Sequence, residues 1–278
     1  MTSDNLLALK GITKEYKEFR LGPLDLSVPR GYVMGLVGAN GAGKTTAIKI
    51  ALGAVLPGNG SAHLIHKTRV GVVLDQPCWQ ATWRVRDLSR LLGPFYPGWD
   101  QRVFDELCEW AGVSQRLKVR EFSRGMGMKV QVAVALAHRA ELLVLDEPTS
   151  GLDPLARSEL LDKLSEFMTD ERHSVLFSTH ITTDLDRMAD LITILDAGRV
   201  IASGARDDLL EAWAMVRGGA ADLTGELRAR IRGLRQHSAG WEGLIAAADL
   251  GLCGTGVVAD TPSVEDLLVH LTKERKDA

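Results

Sequence analysis

An α/β fold with a parallel sheet is what three features of this sequence predict. Residues 32–37 have the pattern of a short buried strand, and residues 46–55 carry Ala47, Ile48, Ile50, Ala51 and Leu52 at helical spacing. A glycine-rich loop joins the two. Residues 141–148 form an apolar strand that ends in adjacent carboxylates, Asp146 and Glu147. Between and after these, strand patterns alternate with helical ones, the order that builds a parallel sheet covered by helices.

The joining loop reads Gly38-Ala39-Asn40-Gly41-Ala42-Gly43-Lys44-Thr45-Thr46 and fits G-x-x-x-x-G-K-[ST], a phosphate-binding loop. Successive backbone N–H groups in such a turn form a concave anion site, and glycine takes conformations that a Cβ hinders. The positive end of the following helix points at the same place. In this spacing Lys44 reaches the β- and γ-phosphates of a nucleotide, and the Thr45 hydroxyl ligates Mg2+. A buried strand rarely ends in Asp-Glu unless something cationic lies there. Asp146 is therefore placed to hold Mg2+, directly or through water, and Glu147 to polarise a water for attack on the γ-phosphate. A nucleoside triphosphate and Mg2+ are the ligands these motifs point to.

At 278 residues the chain has room for one large domain or two modest ones. A net charge of −3 implies no general attraction to nucleic acid, which is not expected as a partner. Cys78, Cys108 and Cys253 are odd in number and widely spaced, without a C-x-x-C metal or redox pattern. Residues 1–10 lack the basic flank and apolar run of a signal peptide. The longest uninterrupted apolar run, residues 132–137, is far short of a membrane span. A cytosolic chain is expected, with any membrane span supplied by another subunit.

In chain order, residues 6–12 and 21–28 alternate as strands before a turn at Pro29-Arg30-Gly31, which predicts a small antiparallel subdomain beside the nucleotide. Tyr16 is the candidate for stacking on adenine; a strand-end tyrosine packed on the sheet is the alternative. Residues 53–68 read as turns around Pro57, Gly58, Asn59 and Gly60, and His63 and His66 lack the nearby ligands of a metal site. Residues 70–74 are a buried strand, and Gln76 follows its carboxyl end, where open α/β sheets bind ligands. From 79 to 139 the pattern turns helical, at 85–92, 103–111 and 130–137. Trp110 belongs in that helical core; Trp79 and Trp83 fit either the core or a partner-facing rim. Ser123 is a candidate N-cap, with Gly125 close behind. Residues 154–168 form an amphipathic helix, 174–178 a strand leading to His180, and 191–195 with 199–202 a hairpin. Beyond 205 the character changes. A helix at 207–213, strand-and-turn material at 243–258 and a closing helix at 263–274 predict a small α+β appendage. Its Arg228, Arg230, Arg232 and Arg235 read as a solvated face, with acidic lipid heads as the alternative contact.

Taken together and in this order, the motifs resemble the nucleotide-binding subunit of ATP-binding cassette (ABC) transporters over residues 6–205. The likeness rests on the phosphate loop, Gln76 as the Q-loop, Phe122-Ser123-Arg124-Gly125-Met126 as the signature loop, residues 142–147 as the Walker B strand, residues 150–153 as the D-loop, and His180 as the switch histidine. It implies a P-loop NTPase (RecA-like) core with an antiparallel β-subdomain and a helical subdomain at about 79–139. The nucleotide-binding domain would span 1–205 and a C-terminal accessory domain 206–278. Two cassettes face each other head to tail in that family, so a homo- or heterodimer is implied. ATP on one phosphate loop is then closed in trans by Ser123, Arg124, Gly125 and Met126 of the other, with Asp153 acting across the dimer. Thr46 and Gln76 join in holding phosphates and Mg2+, and His180 contacts the γ-phosphate and helps Glu147 and Gln76 in catalysis.

The usual signature is L-S-G-G-Q. Here Arg124 and Met126 replace a glycine and a glutamine. Lost polar contacts would weaken closure; an added guanidinium approaching phosphate would offset that. Residues 53–69 are short for the family, which implies a trimmed antiparallel subdomain. Residues 95–100, 178–185 and 262–268 resemble bacterial exporter-type cassettes, which pair with a separately encoded permease and serve antibiotic, peptide or related substrates. The implied protein is an Mg-dependent ATPase subunit, cytoplasmic and peripheral at the inner face of the cell membrane. A soluble ABC ATPase without a permease, of the cluster-assembly type, is the alternative.

Overall fold

The computed structural model describes residues 4–273. The outermost residues of both expected domains, 1–3 and 274–278, lie outside the described residues, as does Glu274 at the expected end of the closing helix.

Strands β1 (Asn5–Glu15) and β2 (Arg20–Pro29) pair antiparallel. β3 (Val33–Val37) enters a different sheet and runs through the phosphate loop into α1 (Lys44–Ala51). That helix ends a turn before the expected residue 55, because Gly53 takes φ +72° and turns the chain. β4 (Asn59–Leu64) then adds to the other side of β1, giving a three-stranded sheet ordered β2-β1-β4. Residues 59–64 were expected as turn. All but Leu64 are exposed, so this edge strand has no apolar alternation to announce it.

β5 (Val70–Val73) is followed by α2 (Val85–Leu92), α3 (Gln101–Trp110) and α4 (Arg124–Ala137). These helices close over their own apolar cluster, which includes Val85, Leu88, Phe104, Cys108, Val130 and Ala133. Trp79, Trp83, Trp99 and Trp110 are half-buried against it, so Trp79 and Trp83 serve the helical core. α4 begins six residues before the expected 130. The Ser123 hydroxyl accepts from the Met126 N–H at 3.2 Å, and this cap starts a helix whose first turn contains glycine and no apolar repeat.

The chain continues through β6 (Leu142–Asp146), α5 (Pro154–Phe167), β7 (Ser174–Thr179), α6 (Thr182–Met188), β8 (Leu191–Asp196) and β9 (Arg199–Ala205). The six-stranded sheet has the order β5-β6-β7-β3-β8-β9 and is parallel except for β9. One face, with Val37, Leu145 and Phe177, packs on α4, α5 and α6. The other, with Leu36, Val144 and Leu176, packs on α1 and the three-stranded sheet. Strands buried on both faces read as continuous apolar runs, which is how β6 and β7 read. Each fully buried side chain here contributes roughly 1.5–3 kcal/mol. The register sets Val37 beside Thr179 and Asp146 beside Ser178, so the chain segments leaving β3, β6 and β7 emerge side by side.

The last segment comprises α7 (Arg206–Glu211), β10 (Trp213–Gly218), α8 (Gly225–Arg230), β11 (Arg232–His237), β12 (Gly240–Ala246), β13 (Val258–Asp260) and α9 (Val264–Lys273). Its antiparallel sheet is ordered β11-β12-β10-β13. The helix expected at 207–213 stops at Glu211, because Trp213 pairs with Ala246 and opens β10. Alternation along β10 divides its side chains. Ala214 and Val216 join Trp241, Ile245 and Leu227 in a local cluster, while Met215 joins Leu244, Val264 and Leu267 in the same cluster as β3 and β7. Apolar packing is thus continuous across residue 205. No described helix is long and apolar enough to cross a membrane.

Candidate active site

The site begins with a backbone that only glycine permits. A Cβ on Gly38 would lie 2.3 Å from the Leu195 carbonyl oxygen, so the loop passes under the end of β8 by lacking one. Gly41 and Gly43 take φ +84° and +110°, the left-handed region that favours glycine. Phe19, in the turn between β1 and β2, lies against the loop; a Cβ on Gly43 would come within 2.9 Å of its ring. A cavity of about 420 Å³ opens here, lined by Phe19, Asn40, Gly41, Gly43, Lys44, Thr45, Thr46 and Glu147.

Three strand ends deliver the charged groups. Lys44, with 5% of its side chain exposed, donates from Nζ to the carbonyls of Gly38 at 2.6 Å and Ala39 at 3.2 Å. The same Nζ is 3.0 Å from Glu147 Oε1. Thr45 Oγ1 donates to Asp146 Oδ2 at 2.8 Å, and Ser178 Oγ donates to Asp146 Oδ1 at 3.0 Å. His180 Nδ1 is 2.7 Å from Glu147 Oε2, and the His180 N–H donates to that oxygen at 3.4 Å. Glu147 Oε1 is buried and takes part in no hydrogen bond, although Lys44 lies beside it as an ion contact.

Glu147 also carries backbone strain. Its φ is +54°, an uncommon region for a residue with a Cβ that costs about 1–3 kcal/mol. The fold holds it there, since the Glu147 N–H donates to the Ser178 carbonyl at 2.9 Å and the Ser150 N–H donates to the Glu147 carbonyl at 3.2 Å. The turn aims the carboxylate back toward Lys44 and His180. In this arrangement Lys44 and a glycine-rich loop offer positive charge and N–H groups that can neutralise an anion, and Thr45 with Asp146 presents hard oxygen donors. Glu147 lines the cavity with His180 at 2.7 Å from its Oε2, a placement in which a carboxylate can accept a proton.

Not every expected residue joins this cluster. Ala42 is buried beneath the loop and its carbonyl accepts from the Gly198 N–H at 3.0 Å. Tyr16 is 48% exposed and stands outside the loop cavity, its ring centroid 6.4 Å from that of Phe19. Phe19 is the aromatic nearest the loop, and Ser178 is a second residue that sequence reasoning missed. Gln76 is exposed on the segment after β5, outside the cavity lining.

The signature residues lie outside the cavity lining. Ser123 caps α4, and Met126 packs half-buried against the helical cluster. Gly125 backs onto Ala156 at the start of α5. The Arg124 guanidinium turns into its own chain, donating to the Asp75 carboxylate and to the Ser150 carbonyl. Asp153 caps α5 by accepting from the N–H groups of Leu155 and Ala156, both at 3.0 Å.

The sequence pattern of the ABC transporter family matches residues 21–150. The chain is 34% identical over 223 residues to Nod factor export ATP-binding protein I of Cupriavidus pinatubonensis, covering 74% of this chain and 68% of that protein. This chain belongs to the ABC transporter family. It is also 29% identical over 214 residues to the bacitracin transport ATP-binding protein BcrA of Enterococcus faecalis, covering 72% of this chain and 70% of the other. A solved ATP-binding subunit of an ABC transporter superposes with a TM-score of 0.64 at 29% identity, covering 73% of this chain and 91% of that one. The RecA-like P-loop fold expected from the motifs is therefore the fold of this ABC protein, and the chain is an ATP-binding ATPase.

Proposed function

We propose that this ABC ATPase powers export through a separately encoded integral membrane permease. It would act as one of two nucleotide-binding subunits that close on ATP head to tail, at the inner face of the cell membrane. The relatives named for Nod factor export and bacitracin transport support the export reading and the antibiotic, peptide or related class of cargo. The single observation that carries the mechanism is the convergence of Lys44 and His180 on the two oxygens of Glu147.

In this reading residues 1–205 bind and hydrolyse ATP, and residues 206–278 are accessory. Loop N–H groups, Lys44 and Thr46 hold the phosphates, and Phe19 and Tyr16 flank the nucleoside end. Thr45 Oγ1 and Asp146 Oδ2, in contact at 2.8 Å, are hard oxygen donors that would hold Mg2+. Mg2+, when bound there, supplies charge neutralisation of the β- and γ-phosphate oxygens. Ser178 fixes the Asp146 carboxylate. Glu147 takes the proton of the attacking water, and His180 orients that carboxylate and contacts the γ-phosphate. Gln76, exposed on the segment after β5, would join Thr45 and Asp146 in holding Mg2+. The N–H groups at the start of α4, capped by Ser123, offer a positive helix end to the facing subunit's phosphate.

Purifying the tagged chain from detergent-solubilised membranes tests the proposal. A co-purifying multi-helix membrane protein that stimulates phosphate release is expected. An active ATPase recovered without any membrane protein would instead place the chain with ABC ATPases that work in solution.

A further inference from the structure

We propose that Arg124 is a positioning residue that locks the Asp75–Gln76 loop, the start of α4 and the turn at residues 149–153 into one moving unit. Its guanidinium donates from Nη2 to the Asp75 carboxylate and from Nε to the Ser150 carbonyl. A planar fork with N–H groups facing two directions suits this double contact, and a lysine does not reproduce it. The arginine also lies across Gly151. A Cβ there would sit 2.9 Å from Arg124 Nε and 3.1 Å from its Cδ, and Gly151 takes φ +69°. Glycine at that position both makes the turn and clears a path for the arginine.

Each segment so joined carries a residue of the site. Asp75 precedes Gln76 after β5, Arg124 follows Ser123, and the Ser150 N–H donates to the carbonyl of Glu147. The turn has a second anchor of different strength. Thr149 Oγ1 donates to Asp184 Oδ2 at 2.6 Å, and Arg157 Nε donates to Asp184 Oδ1 at 2.7 Å. The Asp184 side chain is fully buried on α6, which begins two residues after His180. One end of the turn is thus fixed to the His180 helix by a buried carboxylate. The other is held by an Arg124–Asp75 pair whose side chains are 37% and 49% exposed. An exposed ion pair adds little to fold stability, so its removal frees the loops and leaves the fold.

The link to turnover rests on the ATPase reading; the lock itself does not. Amide hydrogen exchange is measured on the full chain, without nucleotide, for the wild type, Arg124→Ala, Arg124→Lys and Asp75→Asn. Faster exchange at residues 74–76, where the Leu74 N–H is bonded to Gln131, and at 149–153 together is expected in Arg124→Ala and Asp75→Asn, with Arg124→Lys intermediate. ATP turnover measured alongside should show kcat about tenfold lower at unchanged KM, with the Arg124→Ala, Asp75→Asn double variant no lower than either single one. Exchange at 149–153 that ignores either single substitution overturns the proposal. So does turnover that rises in Asp75→Asn, the result expected if a freed guanidinium served a phosphate. A wild type that releases no phosphate removes the ATPase reading alone, and the exchange data still decide the lock.

Discussion

At the carboxyl edge of the parallel sheet, Lys44, Glu147 and His180 come from three separate segments and meet at 2.7–3.0 Å, the first two shielded from solvent and His180 exposed. In the C-terminal segment, Arg217 faces Asp260 at 2.8 Å and Glu242 at 3.7 Å, Arg235 faces Glu242 at 3.8 Å, and Arg230 at the end of α8 faces Asp249 at 3.6 Å. The two regions use charge for different ends. The first sets a strained backbone at Glu147 and leaves one buried oxygen of that residue without a hydrogen bond. The second pairs its arginines with carboxylates at the surface, which reduces the free positive charge available to acidic lipid heads. Locally costly geometry is retained where a ligand completes it and is absent where charges only solvate a face.

The largest contrast should come from Lys44→Ala. It removes the buried ammonium that faces the phosphate site, and calorimetry should find ATP affinity lowered on the order of 10²–10⁴-fold, since bonds to the charged β- and γ-phosphates contribute about 1.5–3 kcal/mol each. Trp241→Ala acts in the other region. Trp241 is 1% exposed in the C-terminal cluster, so unfolding experiments should show a loss of about 3–5 kcal/mol while the folded fraction keeps its kcat and KM. A changed KM would mean that the C-terminal sheet shapes the nucleotide site directly. His180→Ala should lower kcat by about 10²–10³, by analogy with loss of a transition-state donor, and leave ATP binding nearly intact. Smallest of all is Arg217→Ala. Its partners are exposed or half-exposed, so stability should change by about 1 kcal/mol or less and phosphate release should not change.

The same contrast explains what the sequence disclosed. The phosphate loop, Asp146, Glu147 and His180 were legible because each follows an apolar strand, and the signal lies within a few consecutive residues. Ser178 was not, since its role depends on a register that sets it beside Asp146 across two strands. Phe19 was passed over for Tyr16 because nothing local to the β1–β2 turn says which ring folds against Gly43. β4 escaped notice as an exposed edge, and Trp213 read as helix until its pairing with Ala246 outweighed the local pattern. The signature arginine could be named, but the direction of its side chain depends on Asp75 and Ser150, both distant in sequence.

Glu147→Gln tests the central claim most directly. The substitution keeps the shape of the side chain and removes its capacity to take a proton. Phosphate release and gel filtration should be measured on the same sample under saturating ATP–Mg2+. The account predicts that phosphate release falls to background while ATP stays bound and the chain elutes as a dimer. Release at the wild-type rate, or a chain that remains monomeric with ATP bound, would contradict it.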